Sequence, residues 1–436
     1  MVNPPTIPAT PPMGWNSWDC YGTTVTEDEV LANAKFMARH LLPFGWDTVV
    51  VDIQWYEPNA RAGGYNDNAH VLLDDFGRQL PVPSRFPSAE LGDAGNAGFT
   101  RLASQVHELG LKFGLHVMRG IPRRAVEANL PVFGTQYTAG DIADQGSTCP
   151  WNSDNFGLNH EHPGAQAYYD SQVAQFASWG VDFIKIDDML APFHAAEIAA
   201  YARAIQRSGR SIALSLSPGT HVSLERHAYL AEHATMWRIS DDLWDRWEDV
   251  RDQFDRLAQW APRQRAGSWA DADMLPLGRI GIRAERGEPR ETRLTLDEQR
   301  TLMSLWTLAK SPLMFGGDLP SSGPHTIELL TNPALMEMFR SAPGATQLLA
   351  EPGKRLWATP YREGELQYVA LFNISDDPAQ LVLDLADLGR PSSVKVSARD
   401  VWHDLDVEVA GRNSTHPYPH IVTNVPAHGV RHLVIS

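Results

Sequence analysis

The chain has 436 residues, 43% hydrophobic and 21% charged, enough to bury a large core and too many for one small domain. A formal net charge of -16 repels phosphate backbones and anionic lipid surfaces, which argues against nucleic-acid and membrane partners, and no apolar run approaches a membrane span. Only Cys20 and Cys149 are present, too few and too far apart for a disulfide framework, although one bridge between them stays open.

The start, Met1 to Pro12, is Pro-rich and has no charged-then-apolar leader, so no signal peptide is visible. A trimmed leader would leave the same start, and a cytoplasmic or periplasmic location is expected. Met13-Gly14-Trp15 reads as a first strand. Thr26-Glu27-Asp28-Glu29 is a capping box opening a helix whose apolar face is Val30, Ala34, Met37 and Leu41. Strands follow at Thr48 to Asp52 and Phe113 to Val117. Ala165, Tyr169, Val173 and Phe176 then recur at helical spacing, and Trp179-Gly180 closes that helix before a strand from Phe183 to Asp187. Further strands are read at Ser211 to Ser215, at Met236 to Ile239, running into Trp269, and at Pro312 to Gly316. Eight strands with intervening helices predict a (β/α)8 TIM barrel over residues 1–335. The Gly- and Arg-rich stretch Gly278 to Arg293 is too irregular for a helix and reads as a loop over one barrel mouth. From about Pro343 the pattern becomes alternating, as in Gln367 to Phe372, Leu381 to Leu383 and His432 to Ile435. Residues 343–436 are therefore expected to form a C-terminal antiparallel β-sandwich. There is no internal repeat and no low-complexity tract.

Polar residues gather at the predicted strand ends: Trp15 and Asp19, Asp52 and Trp55, His116, Lys185 and Asp187, Arg238 and Asp242, then Trp269, Asp271 and Asp273. In a parallel barrel the carboxyl ends of the strands converge on one mouth, where catalytic groups sit. Tryptophan faces suit the C–H side of a sugar ring and carboxylates suit its hydroxyls, so the constellation reads as a carbohydrate site. The plain alternative for any one of these tryptophans is a place in the core. Retaining hydrolysis needs one ionised carboxylate as nucleophile and one protonated carboxyl as acid. Lys185 beside Asp187 is expected to keep the first pKa low, while Asp241 beside Asp242 sets two like charges together and raises one of them.

Met13-Gly14-Trp15-Asn16-Ser17-Trp18, Val51-Asp52-Ile53-Gln54-Trp55, Trp179 through Asp187, Trp237 through Asp242, Trp269 through Leu275 and Ser311-Pro312-Leu313 occur in order. Together they resemble the signature of glycoside hydrolase family 27, which contains α-galactosidases, α-N-acetylgalactosaminidases and β-L-arabinopyranosidases. The resemblance implies a retaining, cofactor-free, metal-free exo-glycosidase acting on a small oligosaccharide or glycan. It places the nucleophile at Asp187 and the acid/base four residues after Arg238, at Asp242, or at Asp241 if the register shifts by one. Substrate contacts are then expected from Trp15, Asp52, Ile53, Trp55, His116, Cys149, Trp151, Lys185, Ser217, Arg238, Asp241, Trp269 and Asp273. The oligomeric state is left open.

Departures from the family pattern bear on substrate choice. Family galactosidases usually carry two consecutive Asp at the second strand end, whereas Ile53 follows Asp52 here. His116 stands where a Tyr is usual, Ser215 to Gly219 lacks a Glu-Trp pair, and Met189 replaces a Cys, so Cys149 has no such partner. Three rivals are set against this reading. One is a class I aldolase using Lys185 as Schiff base, although Asp187 favours its charged form. Another is a metal-dependent lyase or isomerase using Asp271 and Asp273. The third is a non-catalytic sugar-binding relative. His160 and His162 are read as a solvated loop pair without metal-ligand spacing.

Overall fold

Eight short strands rich in β-branched and apolar residues form one parallel ladder: β1 (Met13–Asn16), β2 (Thr48–Val51), β3 (Lys112–Met118), β4 (Phe183–Asp187), β5 (Ala213–Leu216), β6 (Met236–Arg238), β7 (Trp269–Asp271) and β8 (Leu313–Phe315). The computed structural model describes residues 10–66, 68–90, 97–391 and 396–436, so nine residues of the Pro-rich start lie outside the described residues. The strand order is β7-β6-β5-β4-β3-β2-β1-β8. A parallel bridge between Leu275, just past β7, and Phe315 of β8 closes the ring, with Leu275 N–H bonded to Met314 O at 2.8 Å. Strand β2 is Thr-Val-Val-Val and entirely buried, as expected where a parallel sheet is covered on both faces.

The helices between strands are α1 (Glu27–His40), α2 (Thr100–Glu108), α3 (Pro163–Trp179), α4 (Ala195–Ser208), α5 (His227–His233), α6 (Trp247–Trp260) and α7 (Leu296–Ala309). The predicted capping box opens α1: Thr26 accepts from Glu29 N–H and Glu29 accepts from Thr26 N–H. Helix α3 ends on Gly180 at φ 88°, the left-handed cap that only glycine adopts cheaply, and the chain enters β4 at Phe183. The stretch from Gly278 holds a short antiparallel pair, Arg279–Ile280 with Arg290–Glu291, and is otherwise loop. No helix among the described residues is long and apolar enough to cross a membrane.

The C-terminal strands are β9 (Thr346–Glu351), β10 (Lys354–Ala358), β11 (Gln367–Asn373), β12 (Ala379–Asp384), β13 (Ala398–Asp400), β14 (Asp406–Val407), β15 (His420–Val425) and β16 (Val430–Ile435). They make a six-stranded sheet, β9-β10-β11-β16-β13-β14, and a two-stranded sheet, β12-β15, all antiparallel. Leu356, Val369, Leu371 and Leu433 share one apolar cluster with Leu381, Leu383, Ile421 and Val425 of the smaller sheet, which makes the pair a β-sandwich.

The chain divides into two compact units: Met1–Asp242, Ala266–Thr292 and Met314–Gly323 in the first, Leu243–Arg265, Arg293–Leu313 and Pro324–Ser436 in the second. Helices α6 and α7 thus group with the sandwich. Within that unit Trp402 Nε1 donates to Ser304 Oγ at 2.9 Å, and His428 stacks on Trp247 with ring centroids 4.1 Å apart.

Candidate active site

All the strand-end carboxylates belong to the first unit. Asp187 terminates β4 and its side chain keeps 13% of its surface exposed. Oδ1 accepts from Ser217 Oγ at 3.2 Å and from Asp188 N–H at 2.8 Å, while Oδ2 lies 3.5 Å from His116 Nε2. Burial pushes the Asp187 pKa up, but the His116 contact, Lys185 and the backbone donor outweigh it and hold the carboxyl below its usual value. The expected role of Lys185 in lowering Asp187 is therefore shared, with His116 as the larger influence.

Lys185 itself is paired with Asp52, Nζ to Oδ2 at 3.1 Å. Asp52 also accepts from Asn16 Nδ2 at 2.8 Å and from Ile53 N–H at 2.8 Å, and its own N–H donates to Ser17 Oγ. Against the penalty of burial, Lys185 and His116, then the Ile53 N–H and Asn16, hold its carboxyl far below the usual range. Burial disfavours the Lys185 ammonium, yet Asp52 and Asp187 raise its pKa. Both ionic groups are thus kept charged inside the mouth.

Arg238 ends β6, is buried, and bonds Asp273 Oδ1 at 2.7 Å through one terminal nitrogen and Asp242 Oδ1 at 3.4 Å through the other. The Asp242 side chain is 46% exposed. Its neighbour Asp241 is also exposed and has its N–H bonded to Thr220 Oγ1. Of the two adjacent carboxylates, Asp242 is the one that Arg238 reaches. Asp188 and Asp273, non-glycine residues at φ 61° and 88°, follow the ends of β4 and β7. Such backbone costs about 1–3 kcal/mol per residue and is concentrated at functional sites.

The tryptophans divide. Trp15 and Trp55 are fully buried, with Nε1 donating to Gly317 O and His116 O respectively, both at 2.8 Å, so they anchor strand ends. Trp269 is also buried and its Nε1 has no hydrogen-bond partner among the described residues; Trp151 is exposed. Ile53 is buried and brings no polar side-chain atom next to Asp52. Cys20 and Cys149 are both free, so the bridge between them is not formed, and burial pushes the Cys149 thiol up to about 12.

Tyr65 lies outside every motif, and Asp19, read only as one of the strand-end polar residues, was given no individual role. Tyr65 is half-buried and stacked on Trp18 at 5.3 Å, and burial together with the charges of Asp187, Asp242 and Asp52 raises its phenol pKa. It comes from a Gly-Gly-Tyr-Asn loop that carries no sequence signal. Asp19 is buried, its Oδ2 has no hydrogen-bond partner among the described residues, and burial followed by Asp273 and Asp242 raises its pKa well above the usual value. The loop after Gly278 reaches this region: Gly281 N–H bonds Asp19 O at 2.8 Å, and Asp242 is among the charges acting on Glu285.

His160 is not a solvated loop residue. Its Nε2 lies 2.9 Å from Glu197, which also accepts from Tyr169 Oη and pairs with Arg119 at 3.7 Å. Arg119 in turn pairs with Asp188 at 2.7 Å and donates to Asp188 O, so a buried polar network supports the residue after Asp187. Burial, opposed by Arg119 and reinforced by Asp187, pushes Asp188 up to about 7. His162 caps α3, its Nδ1 accepting from Gly164 N–H.

Residues 155–340 match the family model described as Alpha galactosidase A, and residues 351–435 match Alpha galactosidase C-terminal beta sandwich domain. Among solved structures, the chain is similar to a β-L-arabinopyranosidase of glycoside hydrolase family 27 from Geobacillus stearothermophilus. The identity is 46%, the TM-score 0.92, and the match covers 98% of this chain and 96% of that one. An aspartate-to-alanine variant of that enzyme in complex with arabinose is equally similar, at 46% identity and TM-score 0.92, covering 98% and 97% of the two chains. An α-galactosidase of Coffea arabica is 28% identical over 413 residues, 93% of this chain and 90% of its own length.

Proposed function

This chain belongs to glycoside hydrolase family 27 and is a galactosidase-type glycoside hydrolase; from that premise we propose that it cleaves terminal β-L-arabinopyranosyl residues in preference to α-D-galactosyl ones, by double displacement. The observation that carries the preference is Ile53. A carboxylate at this place would bond hydroxyls on the far side of the sugar, the C6 hydroxyl included, and a buried isoleucine offers none. β-L-Arabinopyranosides share the galactose ring configuration and lack the C6 hydroxymethyl, so they lose nothing at an apolar wall. The similarity to a β-L-arabinopyranosidase supports the same reading.

In the mechanism Asp187, kept ionised by His116 and Lys185, attacks the anomeric carbon. Asp242 gives its proton to the departing oxygen and then takes one from the water that hydrolyses the glycosyl-enzyme. Its exposed position suits a group that must meet both leaving group and water. The retaining mechanism requires the two carboxyl groups to stand roughly 5–5.5 Å apart across the bound sugar. Asp52, with its charge fixed by Lys185, is an acceptor for ring hydroxyls. An aldolase would need Lys185 neutral, and two carboxylates hold it charged. Arg238 pairs with Asp273 Oδ1 at 2.7 Å, and this charge neutralisation opposes the use of that carboxylate as a magnesium ligand.

Kinetics on nitrophenyl β-L-arabinopyranoside and α-D-galactoside test the proposal. The wild type should favour the arabinoside in kcat/KM, and Ile53→Asp should move the ratio towards the galactoside, within the ~10⁴ span that a hydroxyl-specific site can reach. Galactoside preference in the wild type, unchanged by Ile53→Asp, would refute it.

A further inference from the structure

Strands β12 and β15 stand as a sheet of two, and their register sets Asp384 directly opposite His420. The chain enters β15 through a turn held by Asn413, whose Oδ1 accepts from Thr415 N–H at 2.9 Å and His416 N–H at 2.7 Å. This turn brings the His416 ring onto the His420 ring, stacked with centroids 4.1 Å apart. Leu385 N–H bonds Pro419 O, and Ala410 and His420 exchange two backbone bonds, so the backbone carrying Asp384 and His420 is held on both sides.

One donor atom from each of Asp384, His416 and His420 lies within 4.8 Å of the other two. His420 is almost completely buried, and its Nδ1 is 3.2 Å from Tyr418 O. A carbonyl only accepts, so Nδ1 carries a proton, and in the neutral ring Nε2 is then the nitrogen offered to a metal, the arrangement that orients metal-binding histidines. Asp384 Oδ1 is buried and has no hydrogen-bond partner among the described residues, and at 3.6 Å His416 Nδ1 is too far to be one. An orphaned carboxylate oxygen beside two imidazoles is costly in a purely structural role.

From this geometry we propose that Asp384, His416 and His420 bind a divalent transition-metal ion of the zinc class in the sandwich. Two imidazoles and one carboxylate suit zinc, cobalt or nickel, whereas calcium and magnesium require oxygen donors. Tetrahedral binding needs donors roughly 3.3 Å apart, given metal–ligand distances of about 2.0–2.1 Å. Closing the three donors on one ion requires the half-buried His416 ring to leave its stack on His420 and turn its lone pair towards Asp384, and water completes the shell. The ion clamps the turn before β15 to the end of β12 and takes no part in hydrolysis.

The test uses the tag-free full chain, freed of metal by a chelator and dialysed. Cobalt(II) is titrated with visible absorption as readout, and zinc with calorimetry and thermal denaturation. One equivalent should bind with tetrahedral cobalt bands and raise Tm, while turnover of an aryl glycoside is unchanged. His416→Ala alters a half-buried turn residue and should lose the bands and the Tm shift while retaining wild-type turnover; Asp384→Asn should lose them as well. Absence of saturable binding, or binding that survives in both variants, would overturn the proposal.

Discussion

His116 is the residue whose importance depends most on its surroundings. It is a lone histidine in β3 by sequence, yet in the fold its Nε2 is 3.5 Å from Asp187 and 4.0 Å from Asp52. Burial alone would raise Asp187, and His116 is the first of the influences that reverse this. With a depressed folded pKa, Asp187 as the proposed nucleophile stays ionised below the usual carboxylate range, so activity should be lost only as pH falls through that lowered value. His116→Ala leaves burial less opposed, and the acid limb of kcat/KM should move to higher pH; an unmoved limb in the pH profile would show that Lys185 suffices. The general acid is tested by leaving group. Loss of the proton donor harms poor leaving groups far more than activated ones. Asp242→Ala should therefore keep much more activity on a dinitrophenyl glycoside than on a natural disaccharide. If Asp241→Ala behaves that way instead, the register of the acid/base is shifted by one. Arg238 reaching Asp242 at 3.4 Å favours the former.

At the level of elements, short strands end where side chains must converge, and close backbone approach holds the ends in place. The chain past β5 passes so near β6 that a Cβ on Gly219 would stand 1.7 Å from Arg238 O, while Gly219 N–H bonds Ser240 O at 3.1 Å. Gly219→Ala must displace either the loop carrying Ser217 or the strand end carrying Arg238. We expect a stability loss of about 1–3 kcal/mol, read from urea denaturation. A fall in kcat/KM on the order of 10² should accompany it, since a displacement of about 1 Å can cost that much. Wild-type kinetics in a folded Gly219→Ala would show that the two ends are not coupled to catalysis. The helices illustrate the local side of the code. Thr26 and Glu29 close a capping box three residues apart, and Thr295 with Glu298 repeats it at α7, both legible because all participants are sequence neighbours.

At the scale of the whole molecule, α6 and α7 join barrel strands in sequence but fall in the unit that contains the sandwich. Phe254 of α6 meets Phe372 of β11 edge to face at 4.9 Å, Thr301 of α7 bonds His428 O, and His428 pairs with Glu298 at 2.7 Å. A chain ending at residue 342 would expose these faces, and we expect it to be aggregated and inactive when expressed. A soluble, active product with a cooperative melt would show that the first part folds alone. The barrel and sandwich were both readable from the chain, because periods of 3.6 and two, glycine caps and capping boxes are written in residues a few positions apart. The strand-end polar residues were readable because the carboxyl ends of parallel barrel strands gather at one mouth wherever the barrel closes. Which of those groups meet was settled only in three dimensions. Lys185 stands two residues from Asp187 in sequence but bonds Asp52, 133 positions away. Tyr65 gathers the fields of four carboxylates from a loop without a motif, and the histidines of the turn before β15 meet Asp384 across a sheet. Charge interactions depend on distance and burial, and for partners this remote along the chain both are set by the closed fold rather than by local sequence.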